Sequence, residues 1–463
     1  MATTITQDPL VNTFPVGQDV IFSLSNTTVV NDATLSQVKF VAEVHISSGT
    51  PPNTATTTDV VGTFKTSPNN AGIGMFDLSS IMENFVSADN TASEYSSYKS
   101  DTITTEANIP MHLIDKYSRN QNTIRYMKVK FYVEYINASN QLISGYEVIS
   151  SLYKFFNGYL KESDTLTIQS GSYGYNIDRF LLVDQNGRFL SNAPIHQKAN
   201  LEDYGTLPFL NVSSILGYIN LVYQDSNSNY LDSETIRITQ ANGAYDAAST
   251  EIDTNVIYFG CFPGNLQNHS TKFKALVTVG TIQGGVIIAT LWDDSTGNEA
   301  TSQYRINVNC PTLKGYEPIR LTWLNQWGTW DYYTFNMKST KSIATKGTTY
   351  EQISGTWNES LYQINGFKGG KKAFRVNATE KITMNTDFVN ESESEWFEEL
   401  INSPEVYILE GFQSDDSNAA LNTYVTPVRL TTSNYTKKTV ANDKLMQYTF
   451  EVEKSKTLRT QSV

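Results

Sequence analysis

A mainly β, multidomain protein, with β-sandwich-like domains and a few short helices, is what this sequence predicts. Three observations predict it. Charged residues make up only 17% of the chain, against about 25% in an average globular protein, and Ser, Thr and Asn fill the polar positions instead. Tyr (27) and Phe (22) are abundant, β-branched residues are frequent and long helix formers few, the composition of pleated surfaces. Segments of alternating hydrophobicity and strand length recur along the chain. At 463 residues the chain exceeds one ordinary core, so several domains are expected.

Taken in order, residues 38–46 (V-K-F-V-A-E-V-H-I) and 127–136 (M-K-V-K-F-Y-V-E-Y-I) alternate as half-buried strands do. The second runs through N-A-S-N, a turn cluster, into Leu142 to Ile149, which predicts a hairpin. Residues 219–223, the turn Q-D-S-N-S-N and Tyr230 to Ile238 predict another hairpin, and the runs from Glu405 and Met446 predict later strands. Asp77 to Phe85 places Leu78, Ile81, Met82 and Phe85 on one helical face behind an Asp N-cap. Asn211 to Ile219 repeats the spacing with Val212, Ile215, Leu216 and Ile219. The shared pattern suggests a duplicated β-rich domain, with chance similarity as the rival explanation. A third helix is expected from Glu393 to Ile401, with a capping box at Ser392 and Glu395 and a stop at Ser403-Pro404. The resulting division is a β-rich domain over 1–155 with a short helix near 77–85, a second over 156–310 with a short helix near 211–219, and an aromatic-rich α+β or β domain over 311–463. Thr50 to Thr58 and Ser87 to Ala107 read as exposed loops.

The most distinctive stretch is R-L-T-W-L-N-Q-W-G-T-W-D-Y-Y-T-F over 320–335. Large rings each remove about 150–250 Å² from water when packed, so the block is expected to anchor the core of the C-terminal domain as a hairpin turning near Gly328. Trp323, Trp327, Trp330, Tyr332, Phe335 and, farther on, Trp396 are the candidate core or interface anchors.

Chemistry is harder to find. The four histidines stand at no ligand spacing, and Cys261 and Cys310 have no partner motif, so buried thiols are expected and no metal or other cofactor. Gly366 to Lys372 fails as a phosphate loop, since Asn365 and Lys372 stand where glycine and Ser or Thr are needed. Asp225-S-N-S-N begins like a calcium loop but has Tyr230 at the sixth position and Ile236 at the twelfth. No residue is assigned a catalytic role, and no enzyme is expected. A net charge of −13 disfavours a nucleic-acid partner or an anionic membrane surface, both of which call for clustered Lys and Arg. The first residues lack a basic and apolar leader, and no apolar run is long enough to span a bilayer. Folding in a cytoplasm is therefore expected.

The string W-L-N-Q-W-G-T-W-D-Y-Y-T-F (323–335) resembles a W-x-N-x-x-G-x-x-D-x-[YF]-x-F block of virion proteins from tailed bacteriophages, especially crAss-like phages of Bacteroidetes. The stretches 396–407, 427–435 and 442–452 are similar as well, so the resemblance covers about 311–463. It implies a structural protein of the tail, neck or baseplate, a ring or adaptor built from many copies, assembled in the host cytoplasm and carried in the virion beside other tail and neck proteins. It brings no catalytic residues. A carbohydrate-binding adhesin on the same particle is the alternative, because Tyr and Trp with nearby Asn and Asp also suit sugar rings.

Overall fold

The computed structural model describes residues 3–48, 50–92, 110–119, 122–161, 164–167, 173–175, 177–181, 185–211, 216–237, 255–293, 296–310, 315–356, 359–364, 366–410, 424–437 and 446–459. The chain is mainly β, in several multi-strand sheets with few short helices. It divides into two compact units: residues 1–311 with 324–332, and residues 312–323, 333–410 and 423–463. The spans 1–155 and 156–310, read from the sequence as separate domains, thus share one compact unit.

That first unit opens with β1 (Thr4–Gln7), β2 (Thr13–Gly17), β3 (Ile21–Ser25), α1 (Thr27–Val30), β4 (Ser36–Ser47), β5 (Val60–Thr66), β6 (Ile73–Asp77) and α2 (Ser79–Met82). Then come β7 (Tyr117–Arg119), β8 (Ile124–Ile136), β9 (Leu142–Ile149), β10 (Tyr153–Tyr159), the small pair β11 (Thr165–Thr167) and β12 (Tyr173–Tyr175), and α3 (Asp178–Leu181). The later half holds β13 (His196–Ala199), β14 (Leu207–Asn211), β15 (Leu216–Gln224), β16 (Tyr230–Arg237), β17 (Asn255–Phe259), α4 (Pro263–His269), α5 (Thr271–Val279), β18 (Val286–Asp293), β19 (Asn298–Glu299) and β20 (Tyr304–Val308).

The two halves of this unit have the same strand order. One sheet runs β2-β10-β8-β4-β5 with β9 also on β8, and the other runs β13-β20-β18-β15-β16 with β19 also on β18. In each, the first strand lies parallel to the last and the remaining neighbours are antiparallel. Each half also pairs the strand after its first with the one that precedes its helix, β3 with β6 and β14 with β17. In the first half Phe22 of β3 meets Phe131 of β8 at 5.4 Å and Tyr153 of β10 at 5.6 Å, so the small sheet covers the large one. In the second, Phe189 bridges Phe209 at 6.2 Å and Tyr304 at 4.8 Å.

This equivalence does not follow the motif that first suggested it. The expected helix over 211–219 is corrected: Leu207–Asn211 and Leu216–Gln224 are strands, and residues 212–215 lie outside the described residues. Ile219, Leu221 and Tyr223 are buried while Tyr218, Asn220 and Val222 are less so, a period of two. The topological counterpart of α2 is α4–α5, after β17. Near residue 77 a short helix is present, as α2 and a 3-10 turn over Glu83–Phe85, but Leu78 rather than Asp77 is the N-cap; Asp77 ends β6, and its Oδ1 accepts from Ser79 N at 3.0 Å. Of the loop expected over Ser87 to Ala107, residues 93–107 lie outside the described residues.

The second unit is built on a sheet ordered β22-β21-β25-β26-β27-β24-β23. Its strands are β21 (Ile319–Leu324), β22 (Trp330–Phe335), β23 (Thr340–Gln352), β24 (Gly370–Asn385), β25 (Val406–Leu409), β26 (Val425–Leu430) and β27 (Thr449–Lys454). The helix α6 (Glu391–Asn402) buries Trp396, Phe397 and Leu400. Its capping box is formed by Asn390 and Glu393 rather than by Ser392 and Glu395, because Asn390 is the last extended residue and its Oδ1 reaches Glu393 N at 2.8 Å. In the core of this unit Phe397 meets Tyr333 edge-on (4.9 Å) and packs at a tilt on Phe450 (5.5 Å).

Candidate functional site

All six aromatic anchors lie inside the protein: Trp323, Trp327, Trp330 and Phe335 are 0% exposed, and Tyr332 and Trp396 4%. They serve two cores. Trp323 packs 4.8 Å from Trp396, and Phe335 5.7 Å from Phe450, within the second unit. Trp327, Trp330 and Tyr332 belong to the first. Trp327 lies 4.6 Å from Phe180, with the Arg179 guanidinium 5.9 Å from its ring. Trp330 meets His112 edge-on at 4.7 Å, and its Nε1 donates to the Asp89 carbonyl at 2.8 Å. The Tyr332 hydroxyl sits 2.9 Å from His112 Nδ1 and 3.0 Å from Thr206 Oγ1.

The expectation that the whole block anchors the C-terminal domain is therefore corrected. The turn explains the division. Asn325 Oδ1 accepts from the backbone N–H groups of Trp327 (3.0 Å) and Thr329 (3.1 Å). Gly328 holds φ at +72°, and a Cβ there would stand 1.7 Å from the Asn157 carbonyl oxygen. Only glycine lets the tip approach the backbone of β10 so closely.

With these rings buried, the most exposed apolar side chains lie in a segment for which the sequence predicted no elements. β23 and β24 pair from Thr340 opposite Thr383 to Gln352 opposite Gly370, with one register shift at Thr348–Thr349, where Phe374 is passed over. β27 supports β24 only over Lys381–Asn385, with one isolated bridge at Ala378. Arg459 Nε still donates to Asn377 Oδ1 at 3.1 Å; from Gly347 opposite Val376 outward no third strand pairs with the hairpin among the described residues, leaving a two-stranded ribbon of about 20 Å at about 3.4 Å per residue. Along β23 every residue is exposed except Tyr350 and Gln352, which are half-buried. Local chemistry makes it a strand without a core: Thr340, Thr345, Thr348, Thr349, Thr379 and Thr383 favour extended backbone. Tyr350 and Phe374 add a T-shaped ring pair at 6.5 Å.

At the tip, Gly355 bridges Ile364, Thr356 Oγ1 donates to the Leu361 carbonyl at 2.8 Å, and Gln363 N donates to Thr356 Oγ1 at 2.9 Å. This scaffold turns apolar side chains into solvent: Ile353 is 52% exposed, Leu361 72%, Tyr362 62%, Ile364 77% and Phe367 78%. Lys368, Lys371, Lys372 and Arg375 follow within a few residues. Beside them lies an open concavity of about 580 Å³, lined by Tyr350, Gln352, Ile353, Thr356, Glu359 and Lys368.

Reactive groups are dispersed. Among the described residues no three His, Cys, Asp or Glu side chains gather as a metal set. Cys261 is buried and Cys310 exposed; burial pushes the Cys261 thiol up. Asp225 caps the β15–β16 turn, accepting at Oδ1 from Asn227 N and Asn229 N (both 2.8 Å) and at Oδ2 from Asn229 Nδ2 (2.9 Å); those bonds hold its carboxyl below the usual range.

His269 donates from Nδ1 to the Asn265 carbonyl at 3.2 Å, while Nε2 is shut away from water and has no hydrogen-bond partner among the described residues. Burial, with Lys116 and Lys274 nearby, lowers its pKa to about 4 from 6.5. Between those values the unfolded chain binds a proton that the folded chain does not, so stability falls as pH drops through the window. With the partial exposure of the residue allowed for, the loss is about 2 kcal/mol. Urea midpoints at pH 7 and pH 4.5 measure it, and His269→Gln is expected to flatten the difference; an equal slope in both proteins would remove His269 as its source.

No protein-family model matches the chain, and no curated protein matches it.

Proposed function

We propose that this chain is a structural component of a bacteriophage virion, a tail, neck or baseplate ring or adaptor protein that acts through subunit contacts rather than catalysis. The observation that carries the contact-making part is the β23–β24 arm. An isolated two-stranded ribbon is at best marginal in water, and contiguous apolar tips of this kind are characteristic of interaction surfaces. The resemblance of residues 323–335 to virion proteins supplies the setting, and its partners would be further copies and neighbouring tail or neck proteins. Three of the six anchors, Trp323, Phe335 and Trp396, are buried in the unit that carries the arm.

The alternative is a receptor-binding adhesin. The polar concavity beside the tip favours it, since Tyr350 offers a ring and Gln352, Glu359 and Lys368 offer hydrogen bonds to a sugar. Negative-stain microscopy and mass photometry of the purified full chain separate the two. Rings or other closed assemblies are expected. A monomer that binds glycans on an array would replace the assembly reading with the adhesin.

A further inference from the structure

The partner of the arm can be named more closely, an inference that rests on the assembly reading above. Between Thr340 and Asn385 stand seven Lys or Arg and three Glu, a net of +4 in a chain whose total is −13, so the remainder carries −17. The arm is thus a basic element on an acidic protein. At its base the cations are matched internally: Lys341 pairs with Glu317 at 2.8 Å and Lys381 with Glu451 at 2.9 Å. Toward the tip the match is partial: Glu351 stands opposite Lys371 in the ladder and Glu359 shares a concavity with Lys368, yet Lys346, Lys371 and Arg375 make no ion pair among the described residues. The excess positive charge therefore lies where the exposed Leu361, Ile364 and Phe367 are.

We infer that the arm docks on the acidic surface of a second copy of this chain, its apolar tip forming the centre of the contact and its lysines the rim. Apolar groups next to acids are available for it: Phe388 is 48% exposed, and Glu391 and Glu395 at the start of α6 are exposed as well. Strand addition to the arm's free edge is the weaker route. Lys341 and Lys346 sit on edge strand β23, and lysines there disfavour pairing with another strand. The contact runs through side chains, which makes it selective by charge pattern.

The test is the mass distribution of the full-length protein, wild type beside Leu361→Ser/Phe367→Ser and Lys371→Glu/Lys372→Glu, at low and high salt. Leu361, Phe367 and Lys371 are exposed and Lys372 is half-buried on the ribbon, and near-UV circular dichroism checks that each variant keeps its packing. Wild type is expected to self-associate and to do so several-fold more weakly at high salt. Each variant is expected to associate at least tenfold more weakly than wild type. Oligomers that persist unchanged in both variants overturn the docking mode and leave the assembly reading standing. A wild-type chain that stays monomeric overturns both. One that stays monomeric yet binds heparin or phosphatidylserine vesicles shows instead that the basic tip serves a different polyanion.

Discussion

Trp327→Ala is expected to lower the unfolding free energy of the first unit by about 3–5 kcal/mol, the usual cost of removing a fully buried large ring, while leaving the second unit's transition in place. The ring is 0% exposed and packs on Phe180, under the Arg179 guanidinium. It sits at the tip of the aromatic hairpin, and residues 324–332 belong with residues 1–311 rather than with the C-terminal strands on either side of them in sequence. Differential scanning calorimetry with hydrogen exchange resolved by segment reads which part of the chain loses protection. Loss confined to 333–410 would show that the ring stabilises the C-terminal unit, as the sequence alone suggests. Loss in β10, α3 and β14 supports the packing described here. Trp323→Ala is the matching control, because its ring meets Trp396 inside the second unit.

That contrast shows what the sequence could and could not convey. A hairpin with its turn at Gly328 was legible from the Trp spacing and the Asn-x-x-Gly signal, because turn chemistry is local. Which core receives each ring was not. That choice depends on the Asn157 carbonyl, which excludes any Cβ at residue 328 and lies far upstream in the chain. Strands with one buried face were readable for the same local reason: Met127, Val129, Phe131 and Val133 of β8 are buried and alternate with Lys128, Lys130, Tyr132 and Glu134. The segment from Asn211 misled because four apolar residues at helical spacing overlapped a strand whose true period appears only from Ile219 onward. The arm escaped notice because both its faces meet water, so no hydrophobic alternation marks it. Its sequence signal is the threonine content of T-K-S-I-A-T-K-G-T-T-Y and A-T-E-K-I-T, a propensity signal without a pattern. The candidate site was therefore the least legible part of the chain, and the buried aromatic block the most.

Asp89→Ala is the second large effect, expected to destabilise the first unit by about 3–5 kcal/mol, because it would orphan several buried donors at once. Asp89 is 1% exposed. Its Oδ1 accepts from Asn122 N at 2.7 Å, and its Oδ2 accepts from the Tyr258 hydroxyl at 3.1 Å and from Thr123 Oγ1. Tyr258 lies on β17 and Thr123 just before β8, so one carboxylate holds together the two halves that share a strand order. Burial, and next the Asp89 charge, push the Tyr258 hydroxyl far above its ordinary range, which keeps it a proton donor to that carboxylate at any working pH. Asp89→Asn separates charge from geometry. The amide oxygen can still take the Asn122 N–H, and the two hydroxyls can rotate to accept from the new NH2, so only about 1–2 kcal/mol should be lost. Urea denaturation of the two variants reads the order directly. Equal losses would mean that the negative charge itself, rather than the count of accepted hydrogen bonds, is what the site requires. A loss below about 1 kcal/mol in Asp89→Ala would mean that water replaces the carboxylate and that the two halves are held together by their apolar faces alone.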